Sequence, residues 1–182
     1  MTPITYDTPT LQDGDALDAM AQESWRRTFA HGYDPADLQA YLAEAYGPTG
    51  KLRPHLADPA VTWQVARAQG QIVGYAKLVP PWLKEAGPDE AQLGQLYVDY
   101  DWHGRGIAQA LMDWSIATAR EGGASGLLLA VFEENHRAIA FYAKYGFVHI
   151  GDYPFPVGDK IDRDLIMKLD LWQNPSAFFV LA

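Results

Sequence analysis

The sequence predicts an α/β protein, and three observations support that prediction. Short apolar runs bounded by turn residues alternate with longer segments of helical periodicity. A glycine-rich turn at 103–108 joins one apolar run directly to an amphipathic segment. Another apolar run, 127–132, is too short for a helix and leads into an amphipathic segment that ends at a glycine. The predicted order of elements is β, α, α, β, β, β, α, β, α, β, β.

The N-terminal part is predicted to form a short strand and two helices. Residues 4–6 favour the strand, and 10–30 carry the periodicity of the first helix. Asp34 and Pro35 suit the N-cap and first position of the second helix. That helix is predicted to end at Gly47-Pro48.

Six further strands are predicted after these helices. They are expected at 61–68, 71–79, 92–98, 127–132, 147–150 and 164–169. Gln69-Gly70 separates the first two, which is typical of a β-hairpin. The last two are expected to flank a loop at 153–162.

The turn at 103–108 has the composition of a phosphate cradle. Gly104 and Gly106 keep side chains away from backbone N–H groups at a helix N-terminus, so those groups can face an anion. Arg105 adds a positive charge there. The chain has no Walker loop, and Gln109 stands where the dinucleotide fingerprint needs its third glycine. The turn therefore predicts a phosphate ligand bound by neither of those motifs.

The segment after the strand at 127–132 predicts a capped helix. Asn135 suits its N-cap, and Gly146 stands where a C′ residue belongs. One face of this helix is apolar and aromatic. It consists of Ala138, Phe141, Tyr142 and Tyr145.

These two segments resemble the signatures of the GNAT N-acetyltransferases. Residues 103–108 match the family's Gln/Arg-x-x-Gly-x-Gly/Ala loop, except that His103 replaces the first residue. Residues 135–147 match Asn-x-x-Ala-x-x-Phe-Tyr-x-x-x-Gly-Phe, in the family's order. The resemblance implies a GNAT fold, with a mixed, twisted sheet of about six to seven strands and helices on both faces. It also implies one domain over 1–182, with 171–182 as a C-terminal tail.

The resemblance further implies that the chain binds acetyl-CoA. In the family, the strands corresponding to 93–98 and 127–132 splay apart, and the pantetheine arm enters the gap. The implied contacts are Leu96, Tyr97, Val98, His103, Gly104, Arg105, Gly106, Ile107, Ala108, Gln109, Asn135, Phe141 and Tyr142. Among them, the Val98 N–H is expected to polarise the thioester carbonyl. Tyr142 is expected to be catalytic, as the proton donor to the departing thiolate.

The general base is not evident from the sequence. Gln92 and Gly94 stand at strand positions where many relatives have a glutamate. Asp99, Glu133 and Glu134 follow the two strands and could relay a proton through water, but each also fits a solvated loop acid. A water chain into an acidic pocket is the remaining alternative.

Additional similarity to bacterial spermidine/spermine acetyltransferases implies a polyamine-like acceptor. This similarity is found in Trp25-x-x-x-Phe29, Leu38-x-x-Tyr41-Leu42, 146–151, Gly158-Asp159 and 164–167. Candidate acceptor contacts are Trp25, Phe29, Tyr33 and Phe155, with plain core packing as the alternative for each.

The composition limits the partners. The chain has 182 residues, 48% hydrophobic, and no apolar stretch near the roughly 20 residues of a membrane span. Cysteine is absent, which excludes a thiol nucleophile, and no metal site is expected. A cytoplasmic location is the default expectation. The net charge of −9 disfavours nucleic acid and favours cationic partners.

The expected function is acetyl transfer from acetyl-CoA to a primary amine of a small cationic acceptor, by direct attack in a ternary complex. Two alternatives remain open. One is acetylation of peptide or protein N-termini, and the other is a catalytically silent acyl-CoA-binding regulatory module. A homodimer is also left open.

Overall fold

The computed structural model describes residues 2–172, which form seven strands and five α-helices. The strands are β1 (Ile4–Asp7), β2 (Thr62–Ala68), β3 (Gln71–Val79), β4 (Glu90–Val98), β5 (Gly126–Phe132), β6 (Val148–Val157) and β7 (Lys160–Asp170). The helices are α1 (Gly14–Phe29), α2 (Pro35–Ala45), α3 (Leu52–Ala57), α4 (Ile107–Glu121) and α5 (His136–Lys144). None of the helices in this part of the chain is long and apolar enough to cross a membrane.

The strands form one mixed sheet that opens at its centre. Their order is β1-β2-β3-β4-β5-β7-β6, and β4–β5 is the parallel pair. The two strands pair only where Glu90–Gln92 lies beside Gly126–Leu128. Beyond these residues they separate, as the resemblance implied for 93–98 and 127–132. The mixed sheet of the expected fold class is confirmed.

Helices cover both faces of the sheet. Leu111 and Met112 of α4 are fully buried in a core with alternate residues of β5, such as Leu127. On the opposite face, Leu17 of α1 packs in a core with Val65 of β2. Burying a side chain of this size contributes about 1.5–3 kcal/mol. The two cores fix the helices on either side of the central opening.

Cap residues set two of the helix starts as predicted. Asp34 Oδ1 accepts a hydrogen bond from the Ala36 amide over 2.8 Å, with Pro35 in the first helical position. Asn135 Oδ1 accepts from the Ala138 amide over 3.2 Å at the start of α5. Each bond satisfies an amide that has no partner within the helix.

The predicted helix boundaries are confirmed in part. The first helix begins at Gly14, because residues 11–13 form a separate 3₁₀ turn. The second ends at Ala45 with Tyr46 as its C-cap, and Gly47 follows with φ of +86°, so the predicted stop at Gly47-Pro48 is confirmed. Helix α3 is not predicted from the sequence, because its six residues are too few to show helical periodicity.

The predicted loop at 153–162 is also wrong, because β6 and β7 continue through it as a hairpin. Pro154 and Pro156 lie within β6 and pair with Arg163 and Ile161 of β7. The strand tolerates both prolines because β6 is at the edge of the sheet, where a missing N–H breaks no second ladder.

The part of the predicted C-terminal tail that is described packs on the domain. Leu171 is buried, and its amide donates to Ser125 O over 3.0 Å. Trp172 Nε1 donates to Ala124 O over 2.8 Å. The rest of the predicted tail, 173–182, lies outside the described residues.

Candidate active site

The loop between β4 and α4 leaves backbone amides free at a helix start. Gly104 and Gly106 have φ angles of +76° and +81°, which only glycine adopts without strain. Gly106 is the N-cap of α4, and no side chain caps that end. The amide of Ala110 bonds back to Gly106 O over 3.0 Å, as expected for the fourth helical residue. The amides of the first turn are therefore available to an anion.

His103 connects this loop to β4 and α5. An Arg137 guanidinium N–H lies 2.6 Å from His103 Nδ1, and arginine can only donate. Nδ1 is therefore the acceptor, so Nε2 carries the proton and donates to Val98 O over 3.0 Å. Histidine replaces the family's usual Gln or Arg, and here its ring bonds a backbone group.

The end of β4 presents backbone groups to the opening at alternate residues. The Asp99 amide donates to Val73 O over 2.9 Å, and Tyr97 lies opposite Tyr75. In an antiparallel ladder, this register turns the N–H and C=O of Tyr97 toward β3 and those of Leu96 and Val98 away from it. The backbone of Tyr97 is therefore paired with β3, whereas the backbone groups of Leu96 and the Val98 N–H face the gap.

A cavity of about 730 Å³ fills the opening between β4 and β5. Twelve of the sequence-predicted site residues line it. They are Trp25, Phe29, Tyr33, Leu96, Tyr97, Val98, His103, Ala108, Asn135, Phe141, Tyr142 and Phe155. The other predicted residues lie outside its lining. Gly104, Arg105, Gly106 and Gln109 are exposed on the loop and the first turn of α4.

Two residues of the predicted cradle have side chains engaged elsewhere. Ile107 is 1% exposed and packs toward β3, where Gly74 leaves room for it. The Arg105 guanidinium lies 4.6 Å from the centre of the Trp102 ring, a cation–π contact. Their backbone amides remain in the cradle, and Arg105 keeps its charge near it.

Tyr142 reaches the cavity from α5. Its side chain belongs to the core on the α4 and α5 face, beside Phe141 and Phe147. Burial raises the pKa of Tyr142 to about 12. The phenol therefore keeps its proton throughout the neutral range and can donate it.

Aromatic rings form the cavity wall on the opposite, α1 and α2 face. The Trp25 ring centre lies 4.9 Å from that of Phe29, 5.3 Å from Tyr33 and 4.8 Å from Tyr41. Phe155 of β6 continues this wall at 5.6 Å from Tyr41. The four predicted acceptor contacts therefore share one wall.

Two carboxylates of β7, Asp162 and Asp164, stand beside these rings. Both line the cavity, and alternation along a strand places them on the same face. Asp162 accepts a hydrogen bond from Tyr33 Oη and lies 3.0 Å from Lys160 Nζ. Burial, followed by the charge of Asp162, raises the pKa of Asp164 to about 7. Neither acid is predicted as a site residue from the sequence, because the expected loop covers 153–162 and the expected strand begins at 164.

The two β4 positions without a carboxylate have structural roles. Gln92 is 1% exposed, and its Oε1 accepts from the amides of Trp82 and Leu83 over 3.0 and 3.2 Å. A Cβ on Gly94 would lie 2.8 Å from Val79 Cγ1, so a glutamate does not fit there unless the Val79 side chain shifts. A carboxylate serving this cavity has to come from another element.

The arrangement defines a class of enzyme: a two-substrate transferase. A glycine-rich loop at an uncapped helix start, gap-facing backbone groups and a protonated tyrosine lie on one side of an opened sheet. An acidic, aromatic wall lies on the other.

Comparisons with known proteins identify the family. The model of the acetyltransferase (GNAT) family matches residues 17–147. An uncharacterized N-acetyltransferase of Mycobacterium bovis is 35% identical over 165 residues, 88% of this chain and 99% of that protein. The chain belongs to the GNAT family and is an N-acetyltransferase of that family.

Solved structures share the fold. The PaiA N-acetyltransferase of Thermoplasma acidophilum, in complex with coenzyme A, has a TM-score of 0.74 at 21% identity, over 92% of this chain and 99% of that one. YncA of Salmonella typhimurium, with acetyl-CoA, has a TM-score of 0.69 at 19% identity, over 95% and 96%.

Proposed function

We propose that the protein transfers the acetyl group of acetyl-CoA to a primary amine of a small cationic acceptor. Membership of the GNAT family supports acetyl transfer. The acceptor is inferred from one observation: Asp162 and Asp164 lie in the aromatic wall on the α1 and α2 face. Carboxylates and ring faces both attract an ammonium group.

The residues present fit acetyl-CoA. The first-turn amides of α4 suit the pyrophosphate, and a Cβ built on Gly104 or Gly106 would meet no protein atom within 4 Å. Leu96 offers its backbone groups to the pantetheine amides, whereas the Val98 carbonyl already accepts from His103. Bound acetyl-CoA supplies an activated acyl group as a thioester.

The proposed roles divide between the two faces of the sheet. The Val98 N–H stabilises negative charge on the thioester oxygen. Tyr142 Oη gives its proton to the departing thiolate. The acceptor enters from the acidic wall, so that its nitrogen attacks from the side opposite Tyr142.

A panel of amines tests this proposal. Purified protein, acetyl-CoA and either spermidine, 1,3-diaminopropane or an alanyl peptide are mixed, and both thiol release and the acetylated product are measured. We expect the polyamines to be better substrates than the peptide. Their kcat/KM should fall from low to physiological salt, as the Debye length shortens from about 30 to about 8 Å.

The other outcomes of this panel favour different functions. Faster turnover of the alanyl peptide, without salt dependence, would favour N-terminal acetylation. Binding of acetyl-CoA with no turnover of any amine would favour a silent acyl-CoA-binding module.

A further inference from the structure

Four carboxylates line the cavity, and two of them already have a hydrogen-bond or ion-pair partner in their own segment of the chain. The four are Glu23, Asp99, Asp162 and Asp164. Glu23 pairs with Arg27 over 2.6 Å, one turn along α1. Asp99 Oδ1 accepts from the Asp101 amide over 3.0 Å and so holds the turn after β4.

The two acids of β7 differ in their partners. Asp162 is 7% exposed and bonded to both Tyr33 and Lys160. Within residues 2–172, no hydrogen bond or ion pair engages the carboxylate of Asp164. A carboxylate without a fixed donor keeps its lone pairs for a substrate proton.

The remaining acids named by the sequence analysis do not reach the cavity. Glu133 pairs with Arg163 over 3.0 Å, and neither it nor Glu134 lines the cavity. Both ring nitrogens of His103 are occupied. Among the described residues, Asp164 is therefore the one acid of the cavity that is both accessible and uncommitted.

The position of Asp164 suits a group that meets the acceptor. Its register partners are Phe132 at the end of β5 and Tyr153 on β6. At Phe132, β5 has already separated from β4. Asp164 thus lies beside the opening on the acceptor face, whereas Tyr142 enters from the other face.

We propose that Asp164 is the general base of this enzyme, taking a proton from the acceptor ammonium directly or through one water. The inference rests on the proposed function, because it presupposes an amine acceptor. Asp164 would supply the carboxylate that β4 lacks at Gln92 and Gly94.

The ionisable groups around Asp164 favour this role. Asp162 precedes it by two residues on β7, Tyr33 and Tyr41 face it from the α2 side, and Tyr153 adjoins it on β6. Burial and the negative charge of Asp162 disfavour ionisation of Asp164, so its pKa rises to about 7. A base with a pKa near the working pH is an efficient proton acceptor.

The proton and bond changes balance as follows. Asp164 takes one proton from R–NH₃⁺, and the neutral nitrogen attacks the thioester carbon, forming the C–N bond. The C–S bond then breaks, and the thiolate takes the proton of Tyr142 Oη. The acetylated nitrogen loses its second proton, which restores Tyr142 through solvent, and Asp164 returns its proton to solvent. Overall one proton is released.

The test compares kcat/KM for spermidine against pH in the parent and in Asp164→Asn. For the parent we expect kcat/KM to rise up to about pH 7 and then level. This rise, the acidic limb of the profile, should vanish in Asp164→Asn. Its kcat/KM should instead climb tenfold per pH unit toward the amine pKa near 10. At pH 7 the loss should be roughly 100-fold, within the range for general-base catalysis, and it should close by about pH 9. Asp164→Glu should recover part of the limb.

Two variants of the same hairpin serve as controls. Asp152→Asn removes an exposed acid of β6 that pairs with Arg163, and it should leave kcat and the pH profile unchanged. Asp162→Asn should raise the KM for spermidine and keep the limb, but shift it to lower pH, because the charge of Asp162 helps to raise the pKa of Asp164. Affinity for acetyl-CoA, by calorimetry, should be equal in Asp164→Asn and the parent, which also confirms that the variant is folded.

The outcomes separate this inference from the proposed function. If the parent acetylates no amine, the proposed function fails, and Asp164 has no substrate proton to take. If the parent acetylates spermidine and Asp164→Asn keeps the limb near pH 7, or changes KM alone, the assignment of the base is wrong while the proposed function stands.

Discussion

His103 Nε2 donates to the carbonyl of Val98 over 3.0 Å, while His103 Nδ1 accepts from Arg137. One side chain thus holds the glycine-rich loop, the end of β4 and the start of α5 together. These three segments carry the residues expected to contact the donor substrate. We therefore expect the histidine to influence acetyl-CoA binding through the geometry of the backbone.

His103→Ala should weaken acetyl-CoA binding by about tenfold, since one hydrogen bond is worth about 0.5–1.5 kcal/mol and a second bond is lost with it. His103→Gln should lose less, because the glutamine amide can also donate and accept. Calorimetric titration with acetyl-CoA measures both. Equal weakening in the two variants would contradict the two-bond interpretation.

Gly106 and Gly70 form a matched pair for testing the cradle. Both have φ of +81°, and a Cβ on either would meet no atom within 4 Å. Alanine at either position should therefore cost a similar 1–2 kcal/mol of unfolding free energy, from backbone strain alone. Only Gly106→Ala should reduce the affinity for acetyl-CoA, and Gly106→Val should abolish binding. Equal acetyl-CoA affinity in Gly70→Ala and Gly106→Val would place the phosphate elsewhere.

Tyr142→Phe should lower kcat by roughly 10²-fold or more and leave acetyl-CoA affinity near that of the parent, because the ring packing survives. Tyr145→Phe is the control on the same helix. The Tyr145 hydroxyl donates to Asp113 over 3.0 Å, so its loss should cost about 1 kcal/mol of stability without affecting kcat. Single-turnover rates with spermidine measure the effect on chemistry, and identical rates in Tyr142→Phe and the parent would remove Tyr142 from catalysis.

Local sequence patterns predicted the donor side of the site better than the acceptor side. The turn at 103–108 and the capped helix starting after Asn135 are contiguous, so glycine positions and helical spacing were enough to place them. Asp164 depends on a hairpin whose β6 strand contains Pro154 and Pro156, residues that ordinarily argue against a strand. Only the position of β6 at the sheet edge, which is a tertiary property, makes those prolines acceptable.

The same limit applies to the missing carboxylate on β4. The sequence shows Gln92 and Gly94 at those positions, but not why a glutamate is excluded. The reason is the packing of Val79 on β3 against Gly94, which depends on strand register. One sequence signal was available for the acceptor wall: Asp162-x-Asp164 has the two-residue spacing that puts both acids on one face of a strand.

The raised pKa of Asp164 also predicts how stability depends on pH. A carboxyl whose pKa is about 7 in the folded state and 3.8 in its ordinary state binds its proton more tightly when folded. Asp164 therefore costs the fold no free energy of unfolding below about pH 4. The free energy of unfolding falls as the pH rises to about 7 and is level above that. Asp164→Asn removes the loss, so its Tm should exceed that of the parent by a few degrees at pH 8, and the two should agree near pH 4.

Asp152 supplies a control of opposite sign for this prediction. Hydrogen bonds from Arg163 and His149 hold the pKa of Asp152 below its ordinary value, so the group stabilises the fold above that value and the contribution is lost on acidification. Asp152→Asn should therefore lower Tm at pH 8 and have little effect at low pH. Thermal unfolding of the parent and both variants from pH 4 to 8 checks the pair. A Tm of Asp164→Asn that stays below the parent's at pH 8 would mean that the ionised carboxylate is stabilised in the fold, contrary to its burial beside Asp162.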